Sequence, residues 1–132
     1  MTSTGPQVKV ISFGYGHAPA PEADLTIDVR RHLRNPHQDL AMRHRTGLDS
    51  AVRRHVLDTP GARSLIRHAA TAARDLAVIV APSTVTIAVG CVGGRHRSVA
   101  MACAIVTDLC AHGVTAEIIH RDVERPVIQR RQ

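Results

Sequence analysis

The sequence contains no tryptophan, and Phe13 and Tyr15 are its only aromatic residues in 132 positions. So few rings exclude a platform on which single-stranded bases stack, while leaving contacts to a phosphate backbone open. Lysine is nearly missing too: of 17 basic residues only Lys9 is a lysine, and the others are arginine. The nucleotide P-loop pattern G-x-x-x-x-G-K-[ST] is therefore absent. Three cysteines, Cys91, Cys103 and Cys110, are too few and too irregular for a disulfide scaffold and favour the reducing cytoplasm. Cys103 and Cys110 read as small apolar residues of an alanine-rich helix. The first fifteen residues, MTSTGPQVKVISFGY, lack a basic segment leading into an apolar run, and no stretch approaches the ~20 apolar residues of a membrane span. No export signal or membrane segment is expected. His17, His37, His96 and His120 fall in loops without the short paired spacings of metal ligands, so neither metal nor cofactor is expected.

What is present is charge and small residues. A net charge of +6 favours polyanionic partners. No block of five or six like charges occurs, so scattered arginines that merely solvate helix faces are the plain alternative. The length suits one domain with a core of its own. The expected division is a fraying leader at 1–7, a globular unit at 8–122 and a basic tail at 123–132.

The chain turns on residues 84–101, TVTIAVGCVGGRHRSVAM. The β-branched start predicts a buried strand over 84–89, and an alanine-rich helix is expected from Ser98 to about Cys110. Between them, Gly90, Gly93 and Gly94 let backbone N–H groups close on an anion at a helix N-terminus, and Arg95 and Arg97 add cationic forks. Earlier strands are expected at 7–13 and 24–29, and a last one at 114–119. FGYGH at 13–17 reads either as a tight turn or as a second glycine loop of the site. Residues 50–57 and 62–77 show helical stripes, with Asp49 or Ser50 as N-cap, and the apolar 78–81 either ends the second helix or is a short extended piece. Strand, helix and strand around Gly113 form a βαβ unit. The fold class is therefore α/β, a mostly parallel sheet with helices packed on it. In such sheets ligands gather beyond the carboxyl ends of the strands, which makes Asp28 and Arg30 candidate site residues. His37, held on a loop by Pro36, gains its case from those neighbours.

Cys91 through Ser98 also fits C-x5-R-[ST], the cradle of cysteine-dependent phosphatases. On that alternative Cys91 would be the nucleophile, Arg97 the phosphate clamp, and Asp28, Asp49 or Asp122 the general acid. The bland reading makes Cys91 a small residue beneath a binding loop.

Taken together, Ser12-Phe13-Gly14, Asp28-Val29-Arg30, Asn35-Pro36-His37, Thr46-Gly47, the stretch from Gly90 to Val99 (GCVGGRHRSV) and His120-Arg121-Asp122 resemble, in order, the C-terminal domain of the RNase adapter protein RapZ. The resemblance spans 8–122. It implies a small α/β regulatory domain that binds glucosamine-6-phosphate and a small RNA, presenting the RNA to an endoribonuclease; homo-oligomerisation is compatible with it. Carried over by position, Gly93, Gly94, Arg95, His96, Arg97 and Ser98 would hold phosphate, and Asp28, Arg30, His37 and His120 would line the sugar side, with no residue catalytic. Three departures stand out: the family's P-loop kinase-like domain is not expected here, FGYGH is shorter than the usual FGFKYG-type segment, and Val92 replaces the common threonine.

Overall fold

A computed structural model describes residues 5–33 and 41–128. Four strands, β1 (Val8–Gly14), β2 (Leu25–Asp28), β3 (Val85–Cys91) and β4 (Ala116–His120), form one sheet in the order β2-β3-β1-β4. Every pairing is parallel. Three helices accompany it: α1 (Ser50–Leu57), α2 (Ala62–Val80) and α3 (Arg97–Ala111).

The alternation in β1 explains how the layers form. Val8, Val10 and Ser12 are buried whereas Lys9 and Ile11 are partly open, so the buried set faces the helices. Helices α2 and α3 pack against each other and against the same two strands, β1 and β3, which places both on one side of the sheet. The core is built of small and branched residues: Val8, Val10, Ile87 and Val89 from the sheet meet Ala69, Ala73, Ala100 and Ile105 from the helices. With so many alanines the helices approach the sheet closely, and few large side chains are needed to fill the gap.

Each helix end has its own chemistry. The Asp49 carboxylate caps α1, accepting from the Ala51 and Val52 N–H groups. Helix α2 starts after Gly61, a left-handed residue with φ of 91°. It continues through Val80, so residues 78–80 are helical and not extended, which leaves Val78 and Ile79 81% and 75% exposed. Helix α3 has no side-chain cap at its N-terminus. None of the described helices is long and apolar enough to cross a membrane.

Candidate functional site

Because all four strands are parallel, their carboxyl ends lie at one edge, and the register aligns them closely. Gly14 pairs with Cys91, Asp28 with Gly90, and Ser12 with both Val89 and His120. The Phe13–Gly16 turn, the Asp28–Arg30 corner, the Cys91–Ser98 loop and the His120–Asp122 corner therefore emerge side by side. The segment 34–40, with Asn35, Pro36 and His37, lies outside the described residues.

The loops after β1 and β3 touch through backbone. The Tyr15 and Gly16 N–H groups donate to the carbonyls of Cys91 and Val92, each at 2.9 Å. Gly94 is left-handed, with φ of 71°, and a Cβ there would come within 2.6 Å of the Gly14 nitrogen. Only glycine satisfies both demands. Gly93 is the opposite case, since a Cβ on it would meet nothing within 4 Å. Open space above the loop therefore begins at Gly93.

Asp122 ties this junction together. Its side chain is 1% exposed; it accepts from the Gly14 N–H at 2.7 Å and from Arg121 Nε at 3.0 Å, and Arg125 Nε lies 3.2 Å away. Burial pushes its carboxyl up, but the Arg121 guanidinium and the Gly14 N–H outweigh it and hold the group below its ordinary value. Arg121 also donates to the carbonyls of Pro19 and Ala18, closing the loop after β1. The HRD triplet at a strand end was the sequence signal for this anchor, although nothing in it announced a structural carboxylate.

The candidate residues divide by what they touch. Asp28 and Arg30 form a bidentate pair at 3.0 and 2.6 Å, and the Arg30 guanidinium lies 3.8 Å from the centre of the Tyr15 ring. The hydrogen bond from Arg30 holds the Asp28 carboxyl below its usual range. Tyr15 in turn packs edge-on against Phe13, above Gly90, where a Cβ would strike both rings. Arg30 is thus a cation fixed at the rim of the strand ends. No local sequence pattern encodes that Tyr15 support, because it depends on two loops meeting.

His96, Arg97 and Ser98 are buried, and the half-buried Arg95 lies back against neighbouring backbone. Arg97 is 4% exposed, and its Nη1 donates to the Arg30 carbonyl at 2.6 Å. Arg95 reaches the carbonyls of Val123, Arg125 and His44. The buried His96 imidazole faces the Arg43 carbonyl at 3.0 Å, and burial lowers its pKa. These three side chains bind the loop to the segments at 29–30, 43–44 and 123–125, so what the loop offers a ligand at its surface is backbone. The Cys91 thiol, 3% exposed, donates to Ser98 Oγ at 3.1 Å and accepts from the Gly94 N–H at 3.3 Å. His120 Nδ1 sits 2.6 Å from Ser12 Oγ; burial and then Arg53 lower its pKa. Among the described residues no group of three or more His, Cys, Asp or Glu side chains could hold a metal.

The sequence matches the RapZ C-terminal domain over residues 6–124. The chain belongs to that family. A nucleotide-binding protein of Thermus thermophilus is 46% identical over 121 residues, which are 89% of this chain and 43% of the relative. Nucleotide-binding proteins of Parafrankia sp. and Streptomyces coelicolor are 43% and 40% identical, each over 88% of this chain and over 41% and 40% of theirs. The chain thus spans about two fifths of the length of these curated relatives. Family membership accounts for the order of the strand-end motifs, and the packing around Gly94 and Asp122 shows what physical work those motifs do in this member.

Proposed function

We propose that the strand-end edge binds a phosphorylated small molecule, an amino-sugar phosphate such as glucosamine-6-phosphate, and that the arginine-rich exterior contacts RNA in the service of an endoribonuclease. The observation that carries this reading is the meeting of open backbone at Gly93 with the uncapped N-terminus of α3, beside the fixed Arg30. Phosphate would rest on the Gly93–Ser98 backbone, with Arg97 bracing the loop from beneath. Asp28, Arg30, His37 and His120 would face the sugar. The name carried by the relatives, nucleotide-binding protein, agrees with a phosphate-bearing ligand, although it describes chains more than twice as long.

Calorimetric titration with glucosamine-6-phosphate tests it. Arg30→Ala should weaken binding about tenfold, and an absence of heat from every sugar phosphate tried would sink the idea. The phosphatase alternative rests on Cys91 standing seven residues before Ser98, with its sulfur at the loop's centre. It requires phosphoester turnover that Cys91→Ser abolishes; on the binding reading, turnover is absent from the parent and Cys91→Ser keeps its ligand.

A further inference from the structure

Behind the strand-end site, and meeting it where Cys103 Sγ lies 3.8 Å from His120 Nε2, the three helices line an open groove of about 500 Å³. Its floor is apolar, made by Leu57 of α1, Ile66 of α2 and Ala104 of α3, and Arg53, Arg63 and Arg67 stand around it. The charges around it are uneconomical. Arg63 and Arg67 are four residues apart on one helix face, a spacing at which like charges repel. Among the described residues neither makes an ion pair, and the single lining carboxylate, Asp108, faces His112 at 3.1 Å.

We infer that this groove is a binding site for a nucleoside monophosphate. The guanidinium forks of Arg63 and Arg67, with Arg53 beside them, match the oxygens of one phosphate, the apolar floor accepts the face of a base, and a guanidinium plane can stack on it where no aromatic residue lines the groove. The volume is within the range of small-ligand pockets and suits one nucleotide, whereas a polymer would need an extended track. Cys103 lies in the wall, half-buried, with its other contact to His120 of the strand-end site, so its alkylation reports on this groove when the loss of protection follows Arg63 and Arg67.

The experiment is titration with AMP, read by calorimetry and by the rate at which iodoacetamide alkylates Cys103, with inorganic phosphate and ribose-5-phosphate as parallel arms. The expected result is saturable AMP binding that slows alkylation, with far weaker effects in the other two arms. The double variant Arg63→Ala, Arg67→Ala should lose affinity about tenfold or more. Ala104→Leu fills the floor while keeping every charge and should also block AMP; circular dichroism confirms that each variant is folded. No AMP binding at millimolar concentration, binding indifferent to the arginine pair, or equal protection by inorganic phosphate would overturn the assignment.

Discussion

A single carboxylate shows how much of this site is structural. Asp122 accepts from a backbone N–H and from the Arg121 guanidinium and forms an ion pair with Arg125 while almost wholly buried, so Asp122→Asn should cost about 2 kcal/mol in urea unfolding. Because its folded pKa is lowered, the stability it contributes is complete above about pH 4 and disappears as pH falls through the folded value. The urea midpoint of the variant should therefore respond less to pH in that acid range than the parent's. His96 and His120 act at a higher window. Burial lowers both pKa values, the unfolded chain binds those protons more readily, and stability should begin to fall as pH drops through about 6.5. An urea midpoint as high at pH 5.5 as at pH 7.5 would contradict this. The adjacent glycines offer a sharper contrast. Gly93→Ala should unfold with the parent yet bind sugar phosphate more weakly, while Gly94→Ala should lose at least ~2 kcal/mol, since its Cβ meets the Gly14 nitrogen at a positive φ.

At the scale of elements, helix ends separate scaffold from site. Helix α1 is capped by Asp49, whose oxygen lies 2.9 Å from the Ala51 nitrogen. Asp49→Ala should lower stability by about 1 kcal/mol in urea titration and leave ligand binding unchanged. Helix α3 instead opens on an uncapped turn held by Cys91, His96 and Arg97 from within. Its N-terminus and the Gly93 backbone were legible in the sequence as a glycine loop between a β-branched strand and an alanine-rich helix. The inward turn of Arg95 and Arg97 was not. Sequence offers two arginines beside an anion cradle, and charge logic aims them at the anion; the loop's packing turns them toward the backbone carbonyls of three other segments.

Across the whole molecule, stability should be graded by place in the sheet. Among the described residues, β1 and β3 pair on both sides and supply the sheet's fully buried core residues, while β2 has four residues and β4 five, each with one neighbour. Amide exchange should be slowest at Val10 and Ile87 and faster at Thr26 and Glu117. Uniform protection across the four strands would contradict the gradient.

The sequence by itself determined the α/β class, each of the described strands and helices to within a few residues, and the meeting at one edge of the loops that follow the strands. Those follow from local causes: β-branched runs, helical periodicity, caps, and glycines at chain reversals. Of the two endings the sequence leaves open for the second helix, the helical one holds: α2 runs through Val80, which packs against the core, while Val78 and Ile79 stay exposed. Only the tertiary structure decided the sheet order β2-β3-β1-β4, the anchoring of Gly14 by Asp122, the stacking of Arg30 on Tyr15 and the groove among the three helices. Each joins residues about fifteen to more than a hundred positions apart, and no local pattern records which distant partner a side chain will meet.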